Sequence, residues 1–374
     1  MIAGILKEPK GENRVSLLPE QAEALVKKNV QLKIEQQAGI NAFADDAVYE
    51  SASVAVLSRD KVLEVSDIIF SIHNPGEDEI KRLKKGAILI GIFQPLYNRR
   101  LMDIYAAAGL TVFSIDMLPR TTRAQSMDVL SSQANIAGYK AVLLAANMFC
   151  RYFPMFITAA GSIAPAKVLV LGAGVAGLQA VATARRLGAV VEVFDTRPAV
   201  KEEVMSLGAK FIEVEGAADA SKAGGYAVEQ TDAYKQKQEQ KIAEVISRSD
   251  IVITTAQIHG RQAPVLVTRQ MLQSMRKGSV IIDIAAATGG NTEVTKDNET
   301  VLFNGVSIVG NSNLSSAMPA DASKLYGKNL LNFLSLILDK EGNLMLNFED
   351  DLVKGTCICH DGQIVNEHYK SMLK

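Results

Sequence analysis

The chain has 374 residues, 48% of them hydrophobic and 22% charged, with a formal net charge of −1. A length beyond about 250–300 residues predicts two domains, and the balanced charge gives no basic surface for nucleic acid or an anionic membrane. The three cysteines do not make a disulfide framework, and this low, odd count is typical of a reducing cytoplasm. The apolar runs are shorter than the roughly 18 residues of a membrane span, which excludes direct membrane insertion.

The N-terminal third of the chain alternates between two patterns. Short apolar runs predict strands at residues 2–6, 30–35, 67–72, 87–93 and 111–115, and helical spacing predicts helices at 19–28, 77–84 and 101–108. Because repeated β-α-β units need helices to cover both faces of a sheet, we expect a parallel sheet here.

A second series of the same kind begins near residue 166. Strands are predicted at 168–171, 190–194, 211–214, 251–254, 279–284 and 307–309, and helices at 175–187, 201–207, 241–247 and 269–275. The segments 66–90 and 249–282 share the order strand, helix, strand. This echo indicates either two domains of related layout or a chance likeness between two β-α-β units.

Two further helices decide the domain boundaries. A mostly apolar helical stretch at 131–153 is expected to bridge the two series, and a helix at 322–338 is expected to return to the first domain. We therefore predict an α/β protein with two Rossmann-like, doubly wound parallel-sheet domains. The first, discontinuous domain comprises residues 1–130 plus 320–374, and the second comprises residues 131–319.

A glycine-rich turn follows the first strand of the second series. Gly172-Ala173-Gly174-Val175-Ala176-Gly177 lies between an apolar strand and a helix, which is the context of a dinucleotide-binding motif. Gly172 permits the tight turn, Gly174 lets the backbone approach a pyrophosphate, and Gly177 lets the helix pack closely. The N terminus of the helix favours the phosphates, so we expect a bound dinucleotide rather than a turn without a ligand.

Asp195 ends the next predicted strand and indicates which dinucleotide binds. Its carboxylate suits the hydroxyls of the adenine ribose, and its charge would repel the 2′-phosphate of NADP. Arg197 is the competing signal, because a nearby arginine can accept that phosphate. We predict NAD(H) at this site.

Two polar regions extend the candidate site. Residues 216–240 are rich in small and polar side chains and are expected to form an irregular, mobile flap beside the cofactor. Residues 120–133 carry side chains suited to a carboxamide and a ribose, and a solvated loop with a helix N-cap is the alternative interpretation. The side chains concerned are Arg120, Gln125, Asp128 and Ser131.

The chain offers few groups for acid–base catalysis. Among its four histidines, His73 and His259 follow strands, where catalytic groups often lie, although a solvated loop histidine is the simpler interpretation. The run Cys357-Ile358-Cys359-His360 has its cysteines too close together for the usual zinc spacing and alternates like a strand. We expect no metal site.

The polar loop is the most distinctive segment of the sequence. Pro119-Arg120 and the run from Arg123 to Tyr139 resemble the signature loop of domain I of the proton-translocating NAD(P) transhydrogenases. The resemblance continues through the glycine motif and through the segments 158–161, 194–198, 223–226, 254–256, 278–283 and 289–291. Lys7-Glu8 and the segment 12–15 resemble the wider alanine dehydrogenase/transhydrogenase superfamily, so the resemblance covers essentially the whole chain.

The resemblance implies a place in a larger assembly. In that family, domain I binds NAD(H) and exchanges hydride with NADP(H) on domain III of a partner subunit, while a membrane domain couples the exchange to proton movement. It therefore implies NADP(H)-binding and membrane partner subunits, a homodimer, and a peripheral location on the cytoplasmic side of the inner membrane. The chain ends at Lys374 without membrane helices, which suggests a separate subunit or a piece of a longer protein.

The resemblance also implies roles for individual residues. Arg120, Asp128 and Ser131 would hold the nicotinamide and its carboxamide. Gln125 would reach toward the facing NADP(H), and Tyr226 would close over bound NAD(H). The other implied cofactor contacts are Arg123, Gly172, Ala173, Gly174, Val175, Ala176, Gly177, Asp195, Thr196, Arg197, Gly225, Gln238, Thr255, Ala256 and Gln257.

The missing acid–base pair agrees with this family, because exchange between two nicotinamides moves only hydride. The alternative is an alanine dehydrogenase. That family uses a lysine where this chain has residues 72–75 and a histidine where it has 91–95, so we expect no amino-acid dehydrogenase activity. A non-catalytic, NAD-binding regulatory subunit is the third hypothesis, and the intact loop from Arg120 to Ser131 argues against it.

Overall fold

The computed structural model describes residues 1–214, 216, 231–258 and 260–373. Gly225, Tyr226 and His259 lie outside these residues, as does most of the predicted flap. The chain divides into two compact units, of which unit 1 comprises Met1–Gln133 and Ser316–Lys374 and unit 2 comprises Ala134–Ser315. Each unit is built on a mainly parallel sheet with helices, which confirms the predicted fold class.

The strands and helices are numbered in chain order. The strands are β1 (Ile2–Ile5), β2 (Gln31–Glu35), β3 (Ala55–Leu57), β4 (Ile68–Phe70), β5 (Ile88–Gly91), β6 (Thr111–Ser114), β7 (Phe156–Thr158), β8 (Gly161–Ile163), β9 (Lys167–Leu171), β10 (Val190–Phe194), β11 (Lys210–Phe211), β12 (Ile251–Thr254), β13 (Val280–Asp283), β14 (Glu299–Phe303), β15 (Val306–Gly310), β16 (Cys357–His360) and β17 (Gln363–Ile364). The helices are α1 (Pro19–Val26), α2 (Asp46–Ser51), α3 (Arg59–Val65), α4 (Glu77–Ile80), α5 (Arg99–Ala107), α6 (Val129–Met148), α7 (Val175–Arg186), α8 (Lys201–Ser206), α9 (Asp232–Ile246), α10 (Arg269–Ser274), α11 (Pro319–Leu334), α12 (Asp351–Thr356) and α13 (Glu367–Met372).

The sheet of unit 1 has the strand order β17-β16-β6-β5-β4-β1-β2-β3. The strands from β6 to β3 are parallel, and β16 joins β6 in the antiparallel sense. Every residue of β4 and β5 is buried, because helices cover both faces of the sheet. Helix α11 packs Phe333 against Phe113 of β6, with 5.5 Å between the ring centroids, so a late segment of the chain completes this core.

The sheet of unit 2 has the order β11-β10-β9-β12-β13-β15-β14 and is parallel except for the edge strand β14. The chain leaves β9 for β10 on one side and later returns to β12 on the other. The order of the strands therefore reverses between β9 and β12. In open α/β sheets, ligands bind at such a switch point, outside the carboxyl ends of the strands.

Several predicted elements differ from the observed ones. The segment 46–65 forms α2, β3 and α3, which the sequence did not indicate because β3 is short and only half-buried. The predicted irregular segment was wrong for residues 232–240, which belong to α9, and the strand predicted at 211–214 is reduced to β11.

Among the described residues, none of the helices combines the length and apolar character needed to cross a bilayer.

Candidate functional site

The glycine turn of unit 2 joins β9 to α7 at the switch point. Gly172 has φ of 101°, a conformation that favours glycine, and its N–H donates to the carbonyl of Phe194 at 2.8 Å. A Cβ on Gly177 would lie 1.8 Å from the carbonyl oxygen of Gly172, so only glycine lets α7 pack this closely. A Cβ on Gly174 would meet no described atom within 4 Å. The backbone at Gly174 is therefore open at the helix N terminus, which fits a pyrophosphate.

Asp195 connects this turn to the segment that follows β10. One carboxylate oxygen accepts the N–H of Ala173 at 2.7 Å, and the other accepts the N–H of Arg197 at 2.8 Å. The guanidinium of Arg197 also donates to both oxygens, at 2.9 and 2.8 Å. This hydrogen bonding to Asp195 raises the pKa of Arg197. The arginine considered as a phosphate acceptor is thus the ion-pair partner of the predicted ribose-binding carboxylate.

Helix α9 adds a residue that the sequence did not indicate. Tyr234 is buried in the first turn of α9, and burial together with the negative charge of Asp195 raises its pKa. Gln238, a predicted cofactor contact, lies one turn later and is half-buried. Tyr234 was missed because residues 232–240 were assigned to an irregular flap.

The segment after β12 lies against the glycine turn. The hydroxyl of Thr255 donates to the carbonyls of Leu171 and Gly172, at 3.3 and 3.1 Å. Ala256 follows, half-buried, and Gln257 is exposed. The structure therefore brings Thr255 and Ala256 together with the glycine turn. The side chain of Asn291 binds the backbone of Ala256, a contact that the sequence did not reveal.

The backbone of the polar loop in unit 1 is held by helix α11. Residues Thr122–Met127 form a 3₁₀ helix in which Ala124 and Met127 are buried, whereas the side chains of Arg120, Arg123 and Gln125 are exposed. The carbonyl of Ser126 accepts the side-chain amides of Asn329 and Asn332 of α11, at 2.8 and 2.9 Å. The loop thus has a fixed backbone that presents polar side chains at its surface.

Some predicted contacts in this loop have structural partners. The carboxylate of Asp128 accepts the N–H and the hydroxyl of Ser131, at 2.9 and 2.6 Å, so Asp128 caps the N terminus of α6. The helix N-cap that composition offered as an alternative is therefore present. The guanidinium of Arg123 binds both carboxylate oxygens of Asp350 at 2.7 Å and also pairs with Asp351.

A buried polar cluster lies at the carboxyl ends of β1 and β4 in unit 1. Burial raises the pKa of Glu8 to about 7, although the N–H of Ile72 donates to it at 2.6 Å. Burial acts in the same direction on Glu12, but hydrogen bonds from Arg14 and His73 outweigh it and hold the pKa of Glu12 well below its usual range. The ring of His73 lies 2.9 Å from Glu12, so this histidine has a carboxylate partner.

The cysteine segment is structural. Cys357 and Cys359 are buried in β16, and burial raises the pKa of each thiol to about 12, so both thiols are protonated at neutral pH. This confirms the strand predicted from the alternating pattern. Within the ranges described above, no three His, Cys, Asp or Glu side chains converge on a point that could hold a metal ion.

Comparison with known proteins gives consistent matches along the whole chain. The family models "Alanine dehydrogenase/PNT, N-terminal domain" and "Alanine dehydrogenase/PNT, C-terminal domain" match residues 4–137 and 141–367. The chain is 44% identical over 365 residues to an NAD(P) transhydrogenase alpha-subunit chain of Rhodospirillum rubrum, covering 95% of each chain. Its counterpart in Rickettsia prowazekii is 43% identical over 380 residues, with 99% of this chain and 98% of the relative covered. A transhydrogenase structure from Sinorhizobium meliloti superposes with a TM-score of 0.89 at 45% identity, covering 98% of this chain and 100% of that chain.

Proposed function

Since the chain belongs to the alanine dehydrogenase/PNT family and is an oxidoreductase component of the NAD(P) transhydrogenase type, we propose that it binds NAD(H) and exchanges hydride with NADP(H) on a partner subunit. A membrane domain of that assembly couples the exchange to proton translocation and holds the chain at the cytoplasmic side of the inner membrane. The observation that carries the nucleotide-binding proposal is the glycine turn, whose open backbone at Gly174 is tied directly to Asp195.

Unit 2 supplies the residues that would bind NAD(H). The amides at the N terminus of α7 and the open side of Gly174 suit the pyrophosphate. Asp195 suits the adenine ribose and excludes a 2′-phosphate. The other proposed contacts in this unit are Ala173, Val175, Ala176, Thr196, Arg197, Gly225, Tyr226, Gln238, Thr255, Ala256 and Gln257.

Unit 1 supplies the loop proposed for the transfer step. When bound, a nicotinamide ring accepts or releases a hydride at one ring carbon, and no proton moves with it. The task of the protein is then to orient the rings, for which we propose Arg120, Asp128 and Ser131. The exposed amide of Gln125 is proposed to contact the NADP(H) of the partner, and Arg123 is proposed as a further cofactor contact. An anchored backbone beneath these side chains suits an orienting role.

The test is a transfer assay with the purified chain and an NADP(H)-binding transhydrogenase subunit. NADH should reduce a chromophoric NADP analogue on that subunit, and Gln125→Asn should slow the transfer about a hundredfold while the Kd for NADH changes little, because a shift of about 1 Å misaligns the rings. No transfer by the wild-type chain would refute the proposal, and an unchanged rate in the variant would remove Gln125 from the transfer step. In the same assay, pyruvate and ammonia should give no NADH oxidation, since activity there would indicate an alanine dehydrogenase.

We also propose that the chain forms a homodimer through the hairpin of β7 and β8. Its strands have three residues each, all exposed, and isolated hairpins of this size are not stable in water. The rings of Tyr152 and Phe156 pack with 4.5 Å between their centroids, and Ile157 is 74% exposed, so the hairpin carries exposed apolar surface. Such a surface is typical of an interface.

The dimer is tested by light scattering over a concentration series. Ile157→Lys should produce monomers, because it places a charge in the proposed interface. Phe43→Lys, at an exposed aromatic residue of unit 1, is the matched control and should leave the dimer intact. A monomeric wild-type chain, or a dimeric Ile157→Lys variant, would contradict the proposal.

A further inference from the structure

Asn291 is a buried side chain that joins two loops of unit 2. Its side-chain oxygen accepts the N–H of Ala256 at 3.0 Å. Its amide nitrogen donates to the carbonyls of Ala256 and Pro264, both at 2.8 Å. One side chain thus binds both backbone polar groups of Ala256, and its relative exposure is 0%.

Asn291 is itself held in place by the end of β13. The carboxylate of Asp283, fully buried, accepts the backbone N–H of Asn291 at 2.6 Å and the hydroxyl of Thr295 at 2.7 Å. The amide is therefore positioned by a rigid strand end rather than by a loop alone. Buried networks of this kind fix geometry because each member loses a hydrogen bond if it moves.

Ala256 lies beside the glycine turn. A Cβ on Gly172 would come within 2.5 Å of the hydroxyl of Thr255 and 3.4 Å of the N–H nitrogen of Ala256. Both segments follow strands that flank the switch point between β9 and β12, where a ligand of this fold binds. Ala256 therefore lies beside the glycine turn at the carboxyl ends of the strands, where the nucleotide is proposed to bind.

We propose that Asn291 is a positioning residue for NAD(H), which fixes Ala256 at the edge of the nucleotide crevice without touching the nucleotide. This inference rests on the proposed function. The chemistry requires an asparagine, because the contacts need one acceptor and two donors on a planar group. Aspartate has the same shape but offers no donor when ionised, and its charge would face two carbonyl oxygens.

Asn291→Asp tests the proposal, and the chain offers a closely matched control. Asn366 of unit 1 is also buried, donates to the carbonyls of Gly355 and Cys357 at 2.8 and 3.0 Å, and accepts the N–H of Tyr369 at 2.8 Å. Asn291→Asp and Asn366→Asp thus each remove two donated hydrogen bonds and keep the accepting oxygen. Both should lower the melting temperature, but only Asn291→Asp should weaken NADH binding, by about tenfold or more at pH 8.

A pH series separates positioning from general loss of stability. Burial among carbonyl oxygens disfavours the ionised form of the new carboxyl, and its protonated form recovers one donor. The Kd for NADH of Asn291→Asp should therefore improve toward pH 5.5, whereas the Kd ratio between Asn366→Asp and the wild type should stay near one throughout. If Asn291→Asp does not fold, Thr295→Val, which removes one bond to Asp283, should weaken NADH binding severalfold.

The possible failures are distinguishable. A wild-type chain that does not bind NADH would refute the proposed function itself. If the wild-type chain binds NADH and Asn291→Asp binds it equally well, or if Asn366→Asp loses as much affinity, the positioning role is refuted while the proposed function stands. If Thr295→Val is used instead, an unchanged affinity for NADH in the folded variant would also refute the positioning role.

Discussion

Gly174→Ala is expected to abolish NADH binding at ordinary concentrations while leaving the fold intact, with a loss of affinity of about a hundredfold. The backbone of Gly174 has φ of −76°, which alanine adopts readily, and a Cβ there would meet no atom of the described chain within 4 Å. The added methyl group would occupy the side on which the pyrophosphate approaches. Titration of NADH fluorescence and thermal unfolding measure the two effects separately.

Two further glycine variants act as controls for this result. Gly177→Ala places a Cβ against the carbonyl oxygen of Gly172, so it should lower stability by about 1–3 kcal/mol or more as well as binding. Gly76→Ala, at the N-cap of α4 with φ of −64°, should leave NADH binding unchanged and lower the stability by no more than about 1 kcal/mol. Wild-type affinity in Gly174→Ala would show that no phosphate group approaches this turn.

Asp195→Asn is expected to shift the nucleotide preference from NADH toward NADPH by about a hundredfold. The substitution removes the charge that repels a 2′-phosphate. It also removes the carboxylate that now holds the guanidinium of Arg197 at 2.8 and 2.9 Å. NADH binding should weaken and NADPH binding should strengthen, measured as separate Kd values at one salt concentration.

The double variant Asp195→Asn/Arg197→Gln identifies the group that accepts the phosphate. Its affinity for NADPH should fall back from the raised value of the single variant, while its affinity for NADH should stay about as weak as in the single variant. In Asp195→Asn, the increase in NADPH affinity should also become smaller as the salt concentration is raised, because it depends on an ion pair at the protein surface. A gain for NADPH that persists without Arg197, or no gain in the single variant, would assign nucleotide choice to other residues.

The elements of the fold that the sequence predicted well are the buried ones. Strands β9, β10 and β12 lie within one residue of their predicted bounds, because β9 and β12 are mostly buried apolar runs and β10 is apolar except for Glu192. Edge strands such as β3 and β14 are partly exposed and lack that signal. The first turns of α9 were not predicted as helix, because the outer face of this helix is polar throughout.

The candidate site divides in the same way. The glycine turn and Asp195 could be predicted because their chemistry lies in short segments with a known spacing. Asn291 and Tyr234 could not, since their partners, Ala256 and Asp195, are 35 and 39 residues away in the sequence. Their roles appear only when loops from separate strands meet at one edge of the sheet.

The interrupted order of unit 1 has a consequence for synthesis on the ribosome. Unit 2 is one continuous stretch, Ala134–Ser315, and its sheet is fully translated before the chain is finished. Unit 1 cannot be completed at that point, because β16 and the ring of Phe333 that covers Phe113 are translated after unit 2. Until then the nascent chain exposes the edge of β6 and the apolar face beneath α11, which are surfaces that chaperones bind. We therefore expect the middle of the sequence, unit 2, to fold first, and the N-terminal segment of unit 1 to be completed only when residues after Ser315 have been made.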